Sequence, residues 1–198
     1  TAANRIASQV AGTGYDDFEA PAGEILHYRV RSRNVLERAS PFADVSVRPV
    51  TGESMYVYLP AGSADEVQLP LVLEREGGDG RRILVVPPNA GSPTTGPVKE
   101  GVARYAFTVL KAGNYALWAS AQGADGSSDS FYFSLDSEDL DSYVGWSTGV
   151  QDTWMWRRVW QKGLDVGEHT VRIKHRETGA LLKALLFTDD LGFAPPPP

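Results

Sequence analysis

The chain has 198 residues, of which 42% are hydrophobic and 22% charged, enough apolar material for a folded core and too much for an intrinsically disordered chain. Nineteen Lys+Arg against 25 Asp+Glu leave a net charge of -6 and no basic stripe, which argues against a nucleic-acid partner. Cysteine is absent, so disulfides, thiolate metal sites and cysteine nucleophiles are excluded together, and apolar runs such as Ile83 to Val86 and Ala184 to Phe187 are far shorter than the roughly 20 residues that span a bilayer.

In chain order, residues 1–15 are mostly small and polar and read as a tether or edge segment. No start methionine or apolar leader precedes Thr1, which fits a mature secreted product or a module cut from a longer protein. From residue 16 onward the pattern is period two. Strands are predicted at Ile25 to Arg31, Val45 to Val50, Met55 to Leu59, Val67 to Leu73 and Arg82 to Val86. Alternating apolar sets follow: Tyr105, Phe107 and Val109; Tyr115, Leu117 and Ala119; Phe131, Phe133 and Leu135. The series ends with Trp154 to Trp160, Val171 with Ile173, and Leu181 to Thr188, with turn signals such as Asp125-Gly126-Ser127-Ser128 between sets. Roughly ten or eleven short strands at this spacing predict an all-β, antiparallel β-sandwich of the jelly-roll kind. It should occupy residues 16–193, and the prolines within 194–198 read as a linker.

The stretch 61–101 is predicted as one long inserted hairpin and loop, with its turn at Glu76-Gly77-Gly78-Asp79-Gly80 and a Pro/Gly/Thr-rich loop from Pro87 to Pro97. Its two arginines, Arg81 and Arg82, would suit a uronic-acid carboxylate, or they are simply solvated charges beside a turn.

Catalytic signals are sparse. The three histidines, His27, His169 and His175, have no metal-ligand spacing, and neither a nucleophile elbow nor a phosphate-binding loop occurs. Asp136, Glu138, Asp139 and Asp141 form an acidic cluster without the glycine and distal glutamate of an EF-hand, and read as a solvated loop. Four of the five tryptophans fall between residues 146 and 160, the most informative local feature.

Four blocks carry a family resemblance: residues 100–119 (EGVARYAFTVLKAGNYALWA), 129–136 (DSFYFSLD), 154–159 (WMWRRV) and 167–179 (GEHTVRIKHRETG). In this order and spacing they resemble the carbohydrate-binding modules of families six and thirty-five, across about Phe18 to Asp190, leaving 61–101 uncovered. The resemblance implies a galactose-binding-like jelly roll without catalytic activity of its own, appended to a secreted, bacterial polysaccharide-active protein, as a monomer or part of a multidomain chain. Its partner would be a poly- or oligosaccharide, with neither nucleic acid nor membrane involved.

A sugar ring stacks its C–H face on an aromatic ring and offers hydroxyls to planar polar groups. Trp146, Trp154, Tyr143, Arg81, Arg82 and Arg176 are the candidate ligand-binding residues, Trp146 fitting a buried plug under a loop equally well, while the resemblance implies that Trp156 lies in the core. Trp154, Trp156 and Trp160 share one strand parity, so a bulge is needed to separate their roles. Many relatives hold a structural calcium with acids that this chain replaces by Glu19-Ala20-Pro21 and, in the final strand, by Lys183. The expectation is that the Lys183 ammonium takes the place of calcium opposite Glu19, so that no cofactor is needed. Were calcium bound instead, Glu19, Glu24, Asp136 and Asp139 would be its candidate ligands. Two other functions compete: a jelly-roll lyase or hydrolase, which needs acids converging in a cleft, and a structural or adhesion sandwich, which needs an exposed apolar patch.

Overall fold

The computed structural model describes residues 54–76, 81–149 and 152–195 in full, and strands β1 (Leu26–Val30) and β2 (Ala43–Val47) as backbone. Contacts divide the chain into two compact units, Thr1–Glu53 and Ser54–Pro198. In the first, β1 and β2 form an antiparallel pair with Leu26 opposite Val47 and Val30 opposite Ala43.

The second unit is a two-sheet antiparallel β-sandwich. Its strands are β3 (Tyr56–Pro60), β4 (Glu66–Val67), β5 (Val72–Arg75), β6 (Arg82–Val85), β7 (Val102–Val109), β8 (Gly113–Gln122), β9 (Ser130–Leu135), β10 (Val144–Ser147), β11 (Met155–Leu164), β12 (Gly167–His175) and β13 (Leu181–Thr188). Sheet I runs β11-β8-β13-β6-β5, with β3 also paired to β13; sheet II runs β10-β9-β12-β7-β4. The alternation in the sequence supplies the inner faces. Tyr105, Phe107, Phe131, Phe133, Val171 and Ile173 of sheet II meet Tyr115, Leu117, Leu182, Leu185 and Phe187 of sheet I in one core. Phe107 stacks on Phe187 with ring centroids 4.1 Å apart. Each such buried side chain contributes about 1.5–3 kcal/mol.

The predicted hairpin forms, β5 pairing antiparallel with β6 on either side of the expected turn, but the stretch 61–101 as a whole is woven into both sheets. The expected strand Val67 to Leu73 splits: β4 joins sheet II beside β7, whereas β5 pairs with β6 on sheet I. Pro70 stands between the two pieces and cannot donate to a ladder. The loop beyond β6 is tied down at separate points. Ser92 Oγ accepts the Thr178 N–H (3.1 Å), the Pro93 carbonyl accepts the Tyr132 hydroxyl (2.9 Å), and the Lys99 carbonyl accepts Lys174 Nζ (2.7 Å). The buried Tyr105 hydroxyl bonds to the Ala61 carbonyl at the other end of the segment, and burial raises its pKa. The turn residues 77–80 lie outside the described residues.

Candidate functional site

The tryptophans sort by sheet face, and a bulge in β11 does the sorting. Trp156 pairs with Ser120 and Arg158 with Trp118, but the register shifts before Trp160, which pairs with Leu117. Leu117 points into the core, so Trp160 does as well; its ring meets Phe187 edge-on at 5.7 Å. Trp156 and Trp118 therefore stand on the outer face of sheet I, which corrects the expectation of a core Trp156. The bulge falls after Trp156 instead of between Trp154 and Trp156.

Register defines two rows across that face. One is Trp156, Ser120, Ala184 and Pro60; the next is Arg158, Trp118, Leu186 and Tyr58. Trp156 and Tyr58, from the flanking strands, meet edge-to-face at 6.4 Å. Tyr58 is 57% exposed, yet Ser120 between the two strands is fully buried. Ser120 Oγ and Trp118 Nε1 are buried without a hydrogen-bond partner, an unusual condition for two polar groups so close together. The Arg158 guanidinium lies 5.9 Å from the Trp118 ring.

Trp154 precedes Trp156 by two residues and lies just before β11 begins. Lys183 Nζ sits 5.0 Å from the centroid of its ring and 3.2 Å from Glu76 Oε2, so one face of the indole is already occupied by an ion-paired ammonium. Lys183 lies where β13 exchanges β6 for β3 as its neighbour, at a register shift between Leu182 and Ala184. Its carboxylate partner among the described residues is Glu76; Glu19, the partner expected from the sequence, and Glu24 lie outside them.

The other predicted residues are dispersed. Trp146 is partly buried against the core: its ring meets the buried Phe133 edge-on at 5.4 Å, and its Nε1–H donates to the Arg158 carbonyl at 3.2 Å, tying β10 to β11 across the sandwich. Arg82 opens β6 opposite Arg75, and Arg81 precedes it, its carbonyl accepting the Glu76 N–H. Arg176 donates to Ser130 Oγ (2.6 Å) and Glu177 Oε1 (3.1 Å) and lies over the Tyr132 ring. Asp136 accepts the Thr170 N–H at 2.6 Å and lies 2.6 Å from His169 Nδ1, so its two oxygens already serve the strand end. Asp139 is exposed beside a short 3-10 turn. Among the described residues no group of three or more His, Asp or Glu is arranged to hold a metal ion.

Tyr143 belongs to a second surface, a groove of about 520 Å³ on the outer face of sheet II. It is lined by the cations Lys99, Arg104, Arg172 and Lys174, by Gln68 and Tyr143, and equally by the acids Glu66, Glu138 and Asp139. Burial raises the pKa of the Tyr143 phenol. Burial also lowers that of Lys174, whose Nζ bonds to main-chain carbonyls and lies 5.6 Å from the Tyr143 ring centroid. The sequence reading missed this surface and the Trp118–Tyr58 row. Arg172, Lys174 and Arg176 at alternate positions did signal an outward strand face, but only the β7–β12 pairing brings Arg104 to it.

No protein-family model matches the chain, and no curated protein does. Solved structures do. The C-terminal family-six carbohydrate-binding module of a marine laminarinase from Zobellia galactanivorans aligns with a TM-score of 0.51 and 14% identity, covering 68% of this chain and 99% of the module. A Podospora anserina enzyme described as a family-26 glycoside hydrolase with a family-35 module, a β-(1,4)-mannanase, gives 0.51 and 16% over 72% of this chain, which spans only 29% of that protein. A family-35 carbohydrate-binding module from Clostridium thermocellum gives 0.49 and 15% over 66% of this chain and 97% of the module. The fold is the β-sandwich of these carbohydrate-binding modules, as the sequence resemblance implied. No helix among the described residues is long and apolar enough to cross a membrane.

Proposed function

We propose that the chain is a non-catalytic carbohydrate-binding module of a secreted polysaccharide-active protein, and that it takes its glycan on the outer face of sheet I. One observation carries this reading. Tyr58, Trp118 and Trp156 share that face, and Trp118 Nε1 and Ser120 Oγ lie among them without a hydrogen-bond partner among the described residues of the protein. Aromatic rings supply the stacking surface for sugar C–H groups, and Arg158 supplies a planar donor at the edge. A ligand hydroxyl entering between Trp156 and Tyr58 would satisfy the two unpaired groups, whose present condition costs stability. Trp154, half of whose stacking surface Lys183 occupies, plays a lesser part than its resemblance-based role suggests.

Retention on a panel of neutral and acidic polysaccharides tests the reading. The parent chain should be retained by at least one of them without releasing sugar. Tyr58→Ala combined with Trp156→Ala should weaken that retention by about 1–3 kcal/mol, roughly five- to 150-fold, with the fold retained at a cost of several degrees in melting temperature. Unchanged retention in the double variant removes this face from the account, and released sugar turns the reading toward an enzyme.

A further inference from the structure

On the outer face of sheet II, Arg172 of β12 stands directly opposite Arg104 of β7 on one side and Ser134 of β9 on the other. Two like charges facing each other across a ladder are destabilising unless an anion lies between them. Among the described residues each guanidinium has one carboxylate partner. Glu66, the register partner of Arg104, bonds to its Nη1 at 3.2 Å, and Glu138 bonds to Arg172 Nη2 at 3.0 Å. Arg104 Nε and Arg172 Nε and Nη1 are buried without a hydrogen-bond partner among the described residues of the protein, three nitrogens carrying four N–H groups that a folded protein ordinarily satisfies.

Glu138 is the exposed member of its pair. Its side chain is 76% exposed whereas that of Arg172 is only 12% exposed, so the pair joins a fixed guanidinium to a solvated carboxylate, and such exposed pairs contribute little. Lys174, two residues along β12, adds a third cation held in place by the Lys99 and Glu100 carbonyls.

We infer that this groove captures an anionic substituent of a sugar, a carboxylate or a sulfate ester, on Arg172 and Arg104, and that Glu138 is a stand-in carboxylate which the ligand displaces. The guanidinium fork matches either planar carboxylate or sulfate oxygens in a bidentate way, which an ammonium cannot do. The inference rests on the carbohydrate reading only for the sugar that carries the anion; the capture of the anion does not involve sheet I.

Calorimetric titration of the whole chain with three probes tests it: a galacturonate trimer, a sulfated galactose oligosaccharide and the unsubstituted galactose oligosaccharide. At low salt at least one anionic probe should bind about tenfold tighter than the neutral one, with the margin narrowing as NaCl is raised. Which anionic probe keeps the advantage identifies the substituent. Glu138→Gln should tighten the anionic probe about threefold by removing its competitor, and Arg172→Lys should weaken it about tenfold, with the neutral probe unmoved by either. Because Glu138 is exposed, its variant reads the site even if Arg172→Lys perturbs folding. Tyr58→Ala with Trp156→Ala should leave anionic binding intact, so failure of the sheet I reading is distinguishable from failure here. Equal affinity for all three probes, or a Glu138→Gln variant that binds the anions no better than the parent, overturns the inference.

Discussion

The two outer faces of one sandwich carry opposite chemistry. Sheet I presents Tyr58, Trp118 and Trp156 with scattered cations, whereas sheet II presents Arg104, Arg172 and Lys174 interspersed with Glu66, Glu138 and Asp139. Both sheets contribute alternate residues to the same core, so the inner faces are interchangeable in kind: aromatic and branched side chains packed at van der Waals distance. Function is free to differ only on the residues in between. The comparison teaches that an aromatic residue in such a fold is read by its parity, since one bulge in β11 separates an outward Trp156 from an inward Trp160.

The comparison breaks most decisively at its inner and outer tryptophans. Trp160→Ala and Trp146→Ala should each lower stability by about 3 kcal/mol or more, because they leave cavities against Phe187 and Phe133, while Trp156→Ala should cost about 1–2 kcal/mol. Urea denaturation ranks the three. A Trp156 variant as damaging as the Trp160 one would place Trp156 in the core after all.

A smaller effect is expected at Lys183, where charge and aromatic face meet. Lys183→Met keeps the buried stem but leaves Glu76, 24% exposed, without its cation, at a cost of about 1–2 kcal/mol. Adding Glu76→Gln should recover part of the loss, the signature of a coupled pair. A chelator should alter neither melting curve; a fall of several degrees in the parent would show a structural cation.

The smallest effects are in pH. For His169, burial opposes the charge, but the Asp136 carboxylate and the Asp165 carbonyl together raise its pKa above the ordinary 6.5. Its stabilising contribution is therefore complete below 6.5 and lost as pH rises through the raised value. For His175, burial and the Lys174 charge lower the pKa, so its contribution is complete above 6.5 and lost as pH falls toward the lowered value. Stability should decline gently on both sides of that region. His169→Gln should abolish the alkaline decline and keep the acidic one; a variant whose profile matches the parent's would show that the Asp136 contact carries no energetic weight.

Much of the sandwich was legible because burial on one face forces alternation: Tyr105-x-Phe107-x-Val109 and Phe131-x-Phe133-x-Leu135 could serve nothing but an inner face. β13 was placed at its observed bounds, Leu181–Thr188. Breaks in alternation were not legible. The bulge before Trp160 has no residue signature, so parity placed three tryptophans together that the fold separates. Charge pairing was hidden for a related reason: Lys183 and Glu76 are far apart in the sequence and meet only because β6 joins β13, and Arg104 meets Arg172 only through the pairing of β7 with β12. Trp146 could be read equally as a platform or as a plug because its surroundings are turn-rich and the short β10 that carries it is barely a signal.

The indole N–H resonances of the five tryptophans provide the most direct test of where glycan binds. Titrating the retained polysaccharide's oligosaccharide into labelled protein should shift the Trp118 and Trp156 signals, with Trp154 moving less, and leave those of Trp146 and Trp160 in place. Binding that moves Trp146 and Trp160, or that moves none of Trp118, Trp154 and Trp156, would contradict the assignment of the site to the outer face of sheet I.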